Sequence, residues 1–272
     1  MNTFIIRLFL ILFVNDCLGQ TFIIAHRGAS ASAVENSLQA FELAIKMGSD
    51  YIETDLHQTS DSVIVIMHDL SINRTCNIPK LVSKKHSQKK LLIKDLNYTE
   101  FSQLTFKNNS EHPPTLDSAL KLINGRCKLL IELKKGSDYY PNIEKHILQI
   151  IKQNKAESWV NVIHSFDKKA LLEIHSQNTG IKLQKLIVFK LPLSSFTFSK
   201  KFNKDNFDDW QGVNIYYLFA KKRTIKKLHK QGKTVYVWTV DKKQVVKRML
   251  RRGVDGIITN NPEMVKRILS QT

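Results

Sequence analysis

Two carboxylates two residues apart, Glu53 and Asp55 in "YIETDL", point to one side of any β-strand that carries them, while Ile52, Thr54 and Leu56 turn to the other. In "LLIELKK" the same alternation puts Glu132 beside Lys134 and turns Leu129, Ile131 and Leu133 away. With both strands lining one mouth, three acids converge. Three carboxylates do not share a semi-enclosed site at neutral pH without a counter-charge, because repulsion returns a proton to at least one of them. One divalent cation resolves this, and all-oxygen ligation selects a hard ion, Mg²⁺ or Ca²⁺, over zinc. The competing reading pairs the acids with the chain's many lysines.

His26 and Arg27 follow the apolar run "TFIIA", and His68 ends "SVIVIMH". A single histidine is usually a packed, hydrogen-bonded core residue. Two at the rim that carries three acids fit general acid-base work, which needs groups that titrate near neutral pH. Arg27 adds a permanently charged fork suited to phosphate oxygens.

The elements that must position these side chains are short β-rich runs alternating with amphipathic helical segments, an order that argues for parallel strands joined by crossover helices. "TFIIAH", "DYIETDL", "CKLLIELK", "WVNVIHSF", "KLQKLIVF", "GVNIYY", "TVYVWTV" and "DGIIT" read as eight strands. Eight such units in a chain of 272 residues match a (β/α)₈ TIM barrel, whose reacting groups collect at the carboxyl ends of its strands. The rival, an open doubly wound sheet, lacks the G-x-G-x-x-G turn of its nucleotide-binding form. "SVIVIMHD" follows "ETDL" too soon for a crossover helix, so it is an extra hairpin partner after the second strand. A turn centred between Ser60 and Asp61 places His68 opposite Glu53. Residues 70–114 fit neither strand nor helix cleanly and read as a small insertion above the barrel mouth.

Residues 1–19, "MNTFIIRLFLILFVNDCLG", have the polar start, apolar middle and small final residue of a secretory signal peptide. They leave one domain over residues 20–272 and predict export, to a periplasm or the exterior. Cys17 follows Asn15 and Asp16, poor neighbours for a lipid-accepting site. Cys76 follows the hairpin near the predicted mouth and Cys127 precedes "KLLIELK" at the opposite end of the barrel, about 20 Å away for a strand of usual length and beyond the ~7 Å reach of a disulfide, so two free thiols are expected. The net charge of +18 concentrates in "KLVSKKHSQKKLLIK", "KKRTIKKLHKQGK" and "DKKQVVKRMLRRG". In the last two, Ile225, Leu228, Val245, Val246, Met249 and Leu250 keep helical spacing, so the lysines form solvated faces of outer helices. No aromatic residues interleave with the basic runs as stacking on nucleic acid requires. Attraction to anionic surfaces or phosphate-bearing substrates is the sharper reading of the charge. Nothing in the chain indicates its oligomeric state.

The stretch "AHRGASASAVENSLQAFELAIKMGSDYIETDLHQTSDSVIVIMHDLSINRT" resembles the signature of glycerophosphodiester phosphodiesterases: HRG, then EN, E-x-D, and HD followed by an R-T pair. The likeness continues through "PPTLDSAL", "IELK", "HSF", "VYVWTVD" and "DGIITNNPE". It implies a (β/α)₈ enzyme that uses a divalent metal to hydrolyse a small-molecule phosphodiester of glycerol, such as glycerophosphocholine or glycerophosphoethanolamine, to an alcohol and glycerol 3-phosphate. By matching position it makes His26 and His68 the general base and acid, Glu53, Asp55 and Glu132 the metal ligands, and Arg27 a phosphate ligand. Lys134 and Trp238 fall at substrate-side positions. Glu35 and Asn36 match the EN pair, either bracing the loop after strand one and the metal's surroundings or starting a helix. A lysophospholipase D or sphingomyelinase D type of enzyme is the alternative, its basic insertion docking peripherally on a membrane. Val34 stands where proline is frequent, "SDS" where an Asp-Gly turn is usual, and Asp241 where asparagine often follows the strand.

Overall fold

The computed structural model describes residues 21–86, 90–107, 109–187 and 210–271. The leader expected over residues 1–19, with Cys17, lies outside them. The strands are β1 (Phe22–His26), β2 (Tyr51–Gln58), β3 (Ile64–Ile66), β4 (Cys76–Asn77), β5 (Thr105–Phe106) and β6 (Lys128–Leu133). They continue as β7 (Val160–Ser165), β8 (Lys182–Ile187), β9 (Gly212–Tyr216), β10 (Thr234–Trp238) and β11 (Gly256–Thr259). All the pairs in the order β1-β11-β10-β9-β8-β7-β6-β2 are parallel, and β1 pairs with β2 to close the ring. The eight-stranded barrel read from the alternation is the observed fold.

Helices cover the outside: α1 (Leu38–Lys46), α4 (Leu116–Ile123), α5 (Ile143–Gln153), α6 (Lys168–Ser176), α7 (Lys222–Lys230), α8 (Lys243–Arg252) and α9 (Pro262–Leu269), while α2 (Lys80–Lys85) and α3 (Tyr98–Phe101) belong to the insertion. Strand alternation separates two apolar layers. Ile52, Leu56, Leu129, Ile131 and Leu133 face outward into the core shared with the helices. Ile24, Tyr51, Leu130, Val162, Tyr236 and Ile258 fill the barrel interior. There Phe22 stands edge-on to Tyr51 at 5.4 Å and to Tyr236 at 6.4 Å, an aromatic floor beneath the site. The strongly basic α7 and α8 bury Ile225 with Leu228 and Val246 with Met249, leaving their lysines to solvent as the spacing predicts. None of the described helices is long and apolar enough to cross a membrane.

β2 is longer than the barrel requires. Its first half pairs with β1, and its second half, Leu56 to Gln58, pairs antiparallel with β3. The hairpin register differs by one residue from the sequence reading: Leu56 faces Ile66 rather than Val65. The physical reason is the turn. Thr59 N–H bonds to Val63 O at 3.0 Å, enclosing three residues rather than two, with Ser62 left-handed at φ 69°. His68 therefore lies two residues beyond the end of β3 rather than opposite Glu53 within the strand.

Residues 70–114 are not featureless. Ile72, Cys76, Leu91, Ile93, Phe101 and Phe106 form an apolar core of their own with Val65 and Met67, braced by the β4–β5 pair. Elements of two to six residues are too short for a periodicity window to register. The ends of the insertion meet: Val65 bridges Thr115, and Ile66 N–H donates to Pro114 O at 2.9 Å. Cys76 and Cys127 are both buried free thiols, as their separation predicts.

Candidate active site

β1 delivers His26 to the barrel mouth, where the chain turns sharply through Arg27 and Gly28, both left-handed at φ 57° and 79°. That conformation costs a non-glycine residue about 1–2 kcal/mol. Arg27 is held in it by its backbone N–H, which donates to Glu53 Oε2 at 2.9 Å, and by its carbonyl, which accepts from Asn36 N–H at 2.9 Å. At Gly28 a Cβ would stand 2.7 Å from the carbonyl carbon of Ala40 in α1. Gly28→Ala is expected to cost at least about 1 kcal/mol, through both strain and clash. An unchanged urea midpoint would show that this turn tolerates a side chain.

His26, Arg27, Glu53, His68, Glu132, Lys134 and Trp238 line a single cleft, together with His164 and Phe166. The Arg27 guanidinium reaches Glu35 Oε1 at 3.2 Å and Asp55 Oδ2 at 3.4 Å. His26 Nδ1 lies 2.7 Å from Asn260 Oδ1. On the facing side His68 Nδ1 lies 2.7 Å from Asp69 Oδ1. Arg74, from the insertion, donates to Asp69 Oδ2 at 2.5 Å and to Glu35 Oε1 at 2.5 Å. A continuous chain of opposite charges thus runs from Arg27 through Glu35, Arg74 and Asp69 to His68. Burial pushes His68 below the ordinary imidazole range with help from Lys134 and Arg27, while Asp55 and Asp69 pull it back up. Beneath it His57 is pushed down to about 4 by burial. This neutral ring accepts from Tyr140 Oη at Nδ1 (2.8 Å), and its Nε2–H donates to the His68 carbonyl (3.3 Å), fixing the backbone under His68.

The three acids do converge, in an arrangement that alternation alone does not give. Asp55 and Glu132 are register partners on β2 and β6, and Glu132 is in turn the partner of His164 on β7. Lys134 Nζ sits 2.8 Å from Asp55 Oδ1 and 2.8 Å from Glu132 Oε1. Asp55 also accepts from Asn36 Nδ2 at 2.7 Å. Although burial opposes ionisation, Lys134 and Arg27 hold the Asp55 carboxyl far below the usual range. Burial pushes Glu132 up to about 8; Lys134 opposes the rise and the charges on Asp55 and Glu53 add to it. Glu53 ends lowered, because His164 and His26 outweigh burial and Asp55.

One ligand atom each from Glu53, Glu132 and His164 lie within 4.8 Å of one another. His164 Nε2 is buried without a hydrogen-bond partner. An orphaned imidazole nitrogen beside two carboxylates, one of them driven toward its neutral form, is a donor set that fits a divalent cation. Asp55, expected as a third ligand, is the register partner of Glu132 and shares Lys134 with it, while its Oδ2 faces the Arg27 guanidinium at 3.4 Å. Asn36 does not start α1, whose N-cap is Ser37 accepting from Ala40 N–H. It ties Asp55 to Thr54, accepting from the Thr54 hydroxyl at 2.9 Å. Sequence reading passed over His164, Arg74 and Asn260 as functional groups. For His164 a signal existed: it alternates with Val162 on the inner face of its strand, at the same carboxyl end as the acids.

The model of the glycerophosphoryl diester phosphodiesterase family matches residues 26–264. A glycerophosphodiester phosphodiesterase of Caldanaerobacter subterraneus is 30% identical over 251 residues, covering 90% of this chain and 96% of that one. The crystal structure of a glycerophosphodiester phosphodiesterase from Parabacteroides distasonis superposes with a TM-score of 0.73 at 25% identity, over 92% of this chain and 97% of the other. An Oleispira antarctica phosphodiesterase, solved in complex with the product sn-glycerol-3-phosphate, shares the fold at 22% identity with a TM-score of 0.76, over 91% and 96% of the two chains.

Proposed function

The chain belongs to the glycerophosphoryl diester phosphodiesterase family and is an enzyme of that class, and from this premise we propose that it hydrolyses glycerophosphodiesters, glycerophosphocholine among them, to an alcohol and glycerol 3-phosphate by two-histidine acid-base catalysis. The observation that carries the reading is the shared cleft, with two imidazoles and Arg27 on the rim above the trio Glu53, Glu132 and His164. A divalent ion held there, Mg²⁺ or Ca²⁺ by the preference of its two carboxylate donors, would draw charge from the phosphoryl oxygens. Arg27 binds a non-bridging oxygen and offsets the negative charge that grows as the nucleophile attacks. His26 takes the proton of that nucleophile, water or the adjacent hydroxyl of the substrate's glycerol. As the bond from phosphorus to the alcohol oxygen breaks, His68 gives that oxygen a proton. Lys134 keeps Asp55 ionised and fixes the Glu132 carboxylate. Trp238 and Phe166, edge to face at 6.0 Å, wall the cleft with apolar surface for the carbon skeleton of the substrate. The apolar leader supports action outside the cytoplasm, which N-terminal sequencing of exported protein tests.

Product analysis on glycerophosphocholine decides the reading. Choline and glycerol 3-phosphate are expected with the divalent ion, neither with chelator, and both again on add-back. Glu53→Gln is expected to raise the ion concentration needed for half-maximal rate. Choline phosphate as product, turnover of lysolipid micelles alone, or full activity in chelator would overturn it. A preference for Zn²⁺ over both hard ions would overturn the choice of metal and point to His164 as the dominant donor.

A further inference from the structure

We infer that Asp241 and Asn260 are positioning residues that fix the proton of His26 on Nδ1 and leave Nε2 as the atom that accepts a proton in the reaction. The inference rests on the role proposed for His26 and names what sets it. β1 pairs with β11 up to Ala25 and Thr259, so His26 and Asn260 emerge side by side one residue later, next to the segment that follows β10. In that segment the Asp241 carboxylate accepts three hydrogen bonds: from Asn260 Nδ2 at 2.6 Å, from Asn260 backbone N–H at 2.8 Å and from the Thr259 hydroxyl at 3.0 Å.

A carboxylate oxygen with an amide 2.6 Å away must face its NH₂ group, since the amide oxygen has nothing to donate. Asn260 is therefore oriented with Oδ1 toward β1. That oxygen only accepts, and His26 Nδ1 lies 2.7 Å from it, so Nδ1 carries the proton. Ser30 Oγ, 2.9 Å from Asn260 Oδ1 and 2.8 Å from His26 O, packs against the same oxygen and shares its single proton between the two acceptors. A neutral imidazole has one N–H, so its Nε2 keeps a lone pair. His68 is built differently, because its Nδ1 meets the carboxylate of Asp69, itself anchored by Arg74.

The test begins with ¹⁵N-histidine NMR on the full-length enzyme, at a pH where the imidazole is neutral and with His26 identified by loss of its signals in His26→Gln. Wild type is expected to show His26 protonated on Nδ1. Asn260→Leu is expected to lose that preference and to lower kcat by about 10- to 100-fold, with KM changed less than about twofold because no substrate contact is removed. The exchanged pair D241N/N260D keeps an acceptor at position 260 and a donor at 241, and is expected to restore both the tautomer and most of kcat. His26 protonated on Nε2 in wild type, or an unchanged kcat in Asn260→Leu, would overturn the inference. The NMR signature is read without turnover, so failure of the proposed reaction leaves this result standing or falling by itself.

Discussion

Replacing His68 by alanine is expected to lower kcat for glycerophosphocholine by about 10²- to 10⁴-fold, the usual cost of losing a proton-transfer group, while the melting temperature barely moves. The side chain is 32% exposed at the cleft rim, so its removal opens no cavity in the main core. The backbone beneath it stays fixed by the His57 side chain, which alanine does not disturb. His26→Ala is expected to lose a similar factor, and the double variant little more than either single one, because the two groups act in one transition state. Leaving-group chemistry separates their roles. A glycerophosphate ester of p-nitrophenol departs without needing a proton, so His68→Ala should recover most of its loss on that substrate whereas His26→Ala should not. The reverse pattern would exchange base and acid. Wild-type rates in either variant would remove the histidines from the mechanism.

Lys134→Met is expected to destabilise the protein by about 3–5 kcal/mol in chelator, the cost of removing one partner from a buried ionic cluster. Methionine keeps most of the volume, so the loss reports charge. Lys134 holds two carboxylates at 2.8 Å each, and one of them, Asp55, is fully buried. Without the ammonium group, Asp55, Glu53 and Glu132 remain together with the Arg27 guanidinium 3.4 Å from Asp55 and His164 beside Glu53. Excess divalent cation should return part of the lost stability by mass action on the folded state, and more of it in the variant than in wild type. Equal urea midpoints for wild type and variant in chelator would show that Lys134 is not the counter-charge of this cluster.

The barrel was legible because its strands alternate with helices over nearly the whole chain, and a period of two is visible within each strand. That same period placed Glu53 with Asp55 and Glu132 with Lys134 on inner faces. What alternation does not carry is register between distant strands. The partnership of Glu132 with His164 joins residues whose strands are separated by a helix, so the histidine in "WVNVIHSF" reveals its face and its end of the barrel but not which acid it stands beside. The reach of Lys134 to Asp55 is likewise a matter of geometry between strands. The hairpin register failed on Ser62, a residue with no strong bias toward positive φ. Arg74 lies in a segment without periodicity, and only the folded chain brings it 2.5 Å from Glu35. Asp241, a departure from the frequent asparagine, is resolved by its neighbour: the carboxylate has an amide, Asn260, to hold.

The insertion meets the barrel at a neck, where Val65 bridges Thr115 and Ile66 bonds to Pro114, and carries its apolar interior with it. Further bonds, from Ser60 N–H to Leu96 O and from Tyr98 N–H to Asp61, seat it on the β2–β3 turn, so a change in its length is absorbed away from the barrel strands only where those contacts are kept. Within the insertion, Arg74 reaches back to the reacting groups through its ion pairs with Asp69 and Glu35. A transplanted cap that lacks an arginine at that place would sit on the barrel and still leave Asp69 and Glu35 without their common partner.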